Sequence, residues 1–308
     1  VLRDDELTGL LLFTACSLAP LMPVLLYLAR LVRVRRDPEA RRVALRRALA
    51  TGTAAALVYV VVVVDAFVVE PDWPRLTRLE LTAPVRAPLT ILHLSDLHLE
   101  PTPARRDRWL LERLSELRPD LIVVTGDVHQ LGNADPATLA PVLRALQAPL
   151  GVYGCIGYDR VETLRAAGPH VRWLVNQGVV VTRGDDRIGL AGLVYVGGRD
   201  AAYEAVAGAT LRLALNHTPD LVEEAAARGA HVYLCGHTHG GQVRVPLWGA
   251  IVTNSKTGKR YEAGLYRVGE TWAYTSRGLG LEPRPAPQVR FLCRPEATLI
   301  TLVPGGGA

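Results

Sequence analysis

Two long apolar runs, separated by an arginine-rich segment, restrict what this 308-residue chain can fold into. Leu7 to Leu28 and Ala48 to Val69 each reach the roughly 20 residues that a helix needs to cross a hydrocarbon layer. Backbone in such a layer finds no water, so each run must satisfy its own N–H and C=O groups, as a helix does. Thr8, Thr14 and Ser17 can bond back to the helix, and Pro20 and Pro23 should kink it. Five successive valines, Val60 to Val64, would favour a strand in water, but length and flanks favour a membrane helix. The first run lacks a basic leader and a small-residue cleavage site, which argues against a cleaved signal peptide. The alternative is an apolar hairpin in a soluble core. Residues 1–70 therefore read as a two-pass anchor in the cytoplasmic membrane. Its Arg30–Arg47 loop should face the cytoplasm, which leaves the rest of the chain outside. A re-entrant or surface-lying hairpin would keep that part cytoplasmic.

That loop also accounts for the charge. Eight arginines against Asp37 and Glu39 give a surplus of six, more than the whole-chain net charge of +5. The remainder of the chain is close to neutral, so no basic face for nucleic acid is implied. The loop could bind anionic lipid or simply set topology. Cys16, Cys155, Cys235 and Cys293 lie in or beside apolar stretches and read as buried thiols, not a disulfide framework.

Residues 71–83 are proline-spaced and read as a linker into a first edge strand. From 84 to 304 short apolar strands alternate with amphipathic helical stretches, the pattern of an α/β domain with helices covering a sheet. Helices are expected at Arg105–Arg118, Ala137–Leu146, after Val161, and at Leu221–Arg228. Strands are expected at Leu89–Leu94, Leu121–Thr125, Gly151–Ile156, Val179–Thr182, Ile188–Leu193, Leu211–Leu215 and Val232–Cys235. β-structure and turns should fill Ala250–Leu302.

Polar groups just past such strand ends converge on one rim. Ser95-Asp96-Leu97-His98 follows the first of these strands, and Gly126-Asp127 the second. Gly157-Tyr158-Asp159-Arg160, Asn216-His217 and Gly236-His237-Thr238-His239-Gly240-Gly241 follow later ones. Each has a plain explanation alone, since Asp after a strand often caps a helix. Five in this order are hard to explain as caps. Carboxylates mixed with imidazoles suit Mn, Fe or Zn better than Ca, and two such ions about 3.5–4 Å apart suit phosphate ester hydrolysis. His93, His170 and His231 fit no cluster and read as structural.

Asp-x-His, Gly-Asp, a lone His and Gly-His-x-His in this order resemble the calcineurin-like metallophosphoesterases. Gly236 to Gln242, Tyr261 with Gly264-Leu265-Tyr266, and Ser276-Arg277-Gly278-Leu279-Gly280 are similar to the YkuE-type membrane-associated phosphohydrolases. That subgroup is similar to some UDP-2,3-diacylglucosamine pyrophosphatases of lipid A synthesis. The resemblance implies a four-layer αββα sandwich, here preceded by two transmembrane helices, and two divalent ions, with Mn expected. It implies that Asp96, His98 and His239 hold the first ion, that His217 and His237 hold the second, and that Asp127 bridges them. A bridging hydroxide would attack the phosphorus of a phosphodiester or pyrophosphate, in a phosphoester or nucleotide-lipid substrate.

One motif departs from the family. Gly-Asn-His-Asp is replaced by Gly157-Tyr158-Asp159-Arg160, so the amide ligand of the second ion and the histidine near the leaving group are both missing. Asp159 could take either place, Tyr158 could donate a proton, and Arg160 could contact phosphate. His129 is a more remote candidate acid. Arg277 could hold an anionic substrate or brace its loop. Leu247 and Trp248 could form an apolar patch for a lipid or face the core. Two rival functions stand beside the phosphoesterase: a UDP-2,3-diacylglucosamine pyrophosphatase, which needs a cytoplasmic domain, and a metal-binding pseudoenzyme.

Overall fold

The computed structural model describes residues 4–130, 135–284 and 286–305. In chain order its helices and strands are α1 (Asp4–Leu18), α2 (Met22–Arg33), α3 (Pro38–Val64), β1 (Arg75–Ala83), β2 (Leu89–Leu94), α4 (Arg105–Glu116) and β3 (Leu121–Thr125). Next come α5 (Pro136–Ala145), β4 (Val152–Cys155), α6 (Val161–Ala167), β5 (Val171–Trp173), β6 (Gln177–Arg183), β7 (Asp186–Gly192) and α7 (Asp200–Val206). The remainder is β8 (Leu211–Leu215), α8 (Val222–Ala227), β9 (Val232–Cys235), β10 (Arg244–Val245), β11 (Gly249–Ala250), β12 (Gly264–Val268), β13 (Thr271–Thr275) and β14 (Glu296–Pro304).

Two six-stranded mixed sheets form the body, ordered β1-β14-β2-β3-β4-β5 and β12-β13-β9-β8-β7-β6. They stack face to face through Ile91, Val123 and Ile300 of the first and Leu190, Leu213 and Leu234 of the second. Leu110 of α4, Leu143 of α5 and Leu164 of α6 cover the outer face of the first sheet. Tyr203 of α7 and Ala225 of α8 cover the second. Strands buried on both faces read as continuous apolar runs, which is why β3 (Leu-Ile-Val-Val-Thr) is buried at every position. β2, β3 and β4 run parallel, as do β7, β8, β9 and β13, so the chain leaves several strands at the same edge of the body.

Two sequence expectations change. The expected linker over 71–83 is mostly sheet: β1 pairs in parallel with β14 along its full length. Glu296, fully buried in β14, explains this, because its Oε2 accepts from Arg75 Nη2 at 3.0 Å and Thr77 Oγ1 at 2.8 Å. The first apolar run is not one continuous α-helix. A 3₁₀ turn, Ala19–Leu21, separates α1 from α2, at the place where two prolines lack the N–H that an α-helix needs. Thr14 and Ser17 do bond back, to the carbonyls of Leu10 and Phe13, at 2.8 Å each. α3 begins at a true cap, with the Asp37 carboxylate accepting from the N–H groups of Glu39 and Ala40. It belongs to a helical stretch, Pro38–Asp72, that alone among the described residues is long and apolar enough to cross a membrane.

Candidate metal centre

Five of the six candidate ligands sit on backbone that a regular strand would not provide. Asp96, His98, Asp127, His237 and His239 all have positive φ, between 43° and 69°. Such conformations are uncommon for non-glycine residues and concentrate at functional sites. They turn side chains off the strand ends into one space. Asp96 and His98 follow β2, Asp127 follows β3, His217 follows β8, and His237 and His239 follow β9.

Two groups of buried side chains result. Ligand atoms of Asp96, His98 and His239 lie within 4.8 Å of one another, and so do those of Asp96, Asp127 and His217. His98 Nε2 is 3.2 Å from His239 Nε2 and 3.7 Å from Asp127 Oδ2. His217 Nε2 is 3.4 Å from Asp127 Oδ2, and His237 Nδ1 is 3.2 Å from His217 Nε2. Backbone donors hold the carboxylates: His237 N–H donates to Asp96 and Tyr158 N–H to Asp127 Oδ1, the latter at 2.7 Å. Gly157 is needed for that approach, since a Cβ there would collide with the Asp127 carboxylate.

The electrostatics separate the residues. Burial pulls His98 down to about 4, and burial together with His98 and Arg290 pulls His239 well below its ordinary value. Burial and His217 also lower His237. These three rings are thus neutral at pH 7 and have lone pairs to give. Burial and the neighbouring Asp127 raise Asp96 to about 6. His217 differs. Burial alone would lower it, but Asp127 and Asp96 push it up to about 10. Asp127 moves the other way: burial would raise it, but His217 and His98 hold it below the usual carboxylate range. Neutral imidazoles beside crowded buried carboxylates suit a divalent cation, so the donor set fits the ions that the sequence implies.

The third motif lies differently from either expectation. Asp159 does not enter the metal space. Its Oδ1 accepts from the N–H groups of Val128 at 2.9 Å and His129 at 3.3 Å, and its Oδ2 accepts from Gly157 N–H at 3.3 Å. Those donors need a partner, and the carboxylate supplies it, so Asp159 braces the loop. His129 braces it too, its Nε2 accepting from Arg160 N–H at 3.3 Å. Tyr158 is 67% exposed, and its ring stands over the site, 6.1 Å from the His217 ring and 6.3 Å from that of His237. Arg160 precedes α6 with its side chain exposed. Arg277 packs against Gly240, and its Nη1 faces Glu296 Oε2 at 3.9 Å, which leaves it a loop-bracing position. Leu247 is fully exposed, while Trp248 packs against Gly9 of α1.

Two residues at the centre escaped the sequence reading. Arg290 is fully buried; its Nη2 donates to the carbonyls of Arg277 (2.8 Å) and Gly280 (2.6 Å) and lies 3.3 Å from His239 Nδ1. Glu282 Oε2 lies 3.3 Å from His239 Nε2. Burial, Asp96 and Asp127 raise Glu282 to about 7. Neither comes after an apolar strand run, the signal that found the others. Glu282 does stand two residues past the Ser-Arg-Gly-Leu-Gly stretch.

The profile of the calcineurin-like phosphoesterase superfamily domain matches residues 89–253. The chain is 31% identical over 229 residues to the uncharacterized metallophosphoesterase YkuE of Bacillus subtilis, covering 69% of this chain and 78% of the relative. It is 34% identical over 252 residues to the phosphodiesterase YaeI of Escherichia coli, covering 76% and 90%. The UDP-2,3-diacylglucosamine pyrophosphatase LpxG of Chlamydia trachomatis is 25% identical over 302 residues, covering 75% and 90%. Four strand-end clusters converging on one space, on two stacked mixed sheets, agree with these likenesses: the chain belongs to the calcineurin-like phosphoesterase superfamily and is a metallophosphoesterase.

Proposed function

We propose that this chain is a membrane-anchored phosphoesterase that cleaves a phosphodiester or pyrophosphate bond with two divalent ions, in a lipid-linked substrate. The carrying observation is the pair of buried ligand groups that share Asp96, with Asp127 Oδ2 lying 3.7 Å from His98 in one and 3.4 Å from His217 in the other. Asp96, His98 and His239 would hold the first ion, His217 and His237 the second, and Asp127 both. Bound there, divalent ions supply Lewis acidity toward phosphoryl oxygens and an acidified water as nucleophile. The protein contributes the rest. Strained backbone aims the ligands before substrate arrives, and the Tyr158 N–H fixes the Asp127 carboxylate. The exposed Tyr158 ring at the mouth can orient a leaving group.

Membrane anchoring rests on the N-terminal helices. Leu10, Leu25, Leu49, Val60 and Phe67 are exposed there, an apolar surface that water would not tolerate. A two-pass anchor would place the catalytic domain outside the cytoplasmic membrane. The pyrophosphatase LpxG among the relatives favours a second reading, a UDP-2,3-diacylglucosamine pyrophosphatase on the cytoplasmic face. A reporter fused after the C-terminus separates the two, since activity only outside the cytoplasm sinks the second.

Catalysis has its own test. Full-length protein in detergent, loaded with Mn²⁺, should hydrolyse bis-(p-nitrophenyl) phosphate, and Asp127→Asn should lower turnover by about a thousandfold. Unchanged turnover in that variant would refute the bridging role.

A further inference from the structure

Glu282 has no role in the pattern that the family resemblance supplies, yet it faces the centre. Its loop is fixed against the first ligand group at several points. Leu279 N–H donates to Ser95 C=O at 3.2 Å and Gly280 N–H to Asp96 C=O at 2.6 Å. A Cβ on Gly280 would lie 2.6 Å from His98 Cβ, so this segment lies directly against the ligand turn. Glu282 N–H then donates to Gln242 Oε1 at 2.8 Å, three residues past His239. These bonds leave the carboxylate of Glu282 beside His239 Nε2 at 3.3 Å, in a half-buried position. That separation is close to what two adjacent ligands of one ion require, given ligand bonds of about 2.0–2.2 Å. Apart from the neutral His239 ring, no hydrogen-bond donor or cation meets this carboxylate among the described residues. Three carboxylates, Asp96, Asp127 and Glu282, thus border one space; of the cations buried beside it, His217 lies 3.4 Å from Asp127 and Arg290 bonds to carbonyls, so neither pairs with Glu282.

We propose that Glu282 is a protein ligand to the ion held by Asp96, His98 and His239. This rests on the two-ion reading above. It gives that ion three carboxylates and two imidazoles, and leaves the other with one carboxylate and two imidazoles. The first position then favours a hard ion such as Mn²⁺, and the second a softer one such as Zn²⁺.

The test uses full-length protein in detergent, stripped of metal and titrated with Mn²⁺, with bound ion followed by calorimetry and electron paramagnetic resonance. Wild type should bind two ions. Glu282→Gln should weaken the tighter class by about 10–100-fold and leave the weaker class within about twofold. An unchanged tighter class overturns the proposal. Wild type that takes up no Mn²⁺ overturns the two-ion reading, and this inference with it. A second variant reads ligation directly: Glu282→Cys loaded with Co²⁺ should show a thiolate-to-cobalt band in the near ultraviolet. Glu116→Cys, on the distant end of α4, should not. Co²⁺ bound to Glu282→Cys without that band also overturns the proposal.

Discussion

The two halves of the candidate centre are enclosed very differently. Asp96, His98 and His239 are at most 2% exposed, with the Gly278–Glu282 segment against them and Arg290 behind His239. His237 is only partly buried, and the neighbouring wall is the exposed ring of Tyr158. The enclosed half is also tied to the end of the apolar helical stretch Pro38–Asp72. Arg290 N–H donates to Ala66 C=O at 2.9 Å, and the Glu70 carboxylate accepts from the N–H groups of Leu292 and Cys293. Cys293 in turn donates to His239 C=O at 3.1 Å. One half is thus built against the end of that apolar helical stretch and the approach to β14, and the other from a loop without the family's amide. The difference implies unequal ion affinity: the enclosed half should hold its ion when the open half has lost it.

Ligand deletion tests this most strongly. His98→Ala should abolish binding of the tighter ion and lower phosphodiester turnover by about a thousandfold. His237→Ala should remove only the weaker ion, and added Mn²⁺ should restore part of the activity. Metal counts on both dialysed variants decide the matter. Loss of both ions from each would mean that the halves act as one site.

A pH titration of Mn²⁺ affinity should separate the halves next. His98 and His239 are neutral already at pH 7, so the tighter class should change little between pH 7 and 9. His217 carries a proton up to about 10, and an ion must displace it. The weaker class should therefore strengthen by up to about tenfold per pH unit over the same range, with proton release seen as a buffer-dependent heat. The metal-free protein should show the opposite trend in stability. A raised histidine stabilises fully below its unfolded value near 6.5, and that contribution is lost as pH rises through about 10. Equal pH slopes for the two classes would contradict the assignment of His217 to the open half.

Legibility in the sequence divides along similar lines. Asp96, His98, Asp127, His217, His237 and His239 each come directly after an apolar strand or within a few residues of it, and parallel strands carry them to one edge. Local pattern therefore sufficed to bring them together. Glu282 and Arg290 arrive on an irregular segment between β13 and β14, positioned by bonds to Gln242, Ser95 and Asp96 that no periodicity encodes. The edge strand β1 was hidden for a related reason. Its place depends on β14, more than 200 residues later, and on Glu296, a buried charge that ties Arg75 and Thr77 to Tyr274 of the other sheet. The kink in the first apolar run was legible from its prolines, but the break into two helices was not.

Asp159 gives the smallest and sharpest test, because its residue type suits a ligand and its surroundings do not. Its two oxygens already serve three backbone N–H groups, at Val128, His129 and Gly157, and burial with the nearby Asp127 raises its affinity for a proton. Asp159→Asn keeps the shape. It must still place one NH₂ group against backbone donors, which leaves at least one buried donor unpaired. Such a loss costs about 1–3 kcal/mol. The melting temperature of the metal-free variant should fall accordingly, while Mn²⁺ stoichiometry stays at the wild-type value. A brace predicts lower stability with intact ion binding; a ligand predicts the reverse. Loss of one ion from Asp159→Asn would show that this carboxylate swings into the open half when metal is present, and the asymmetry between the halves would then largely vanish.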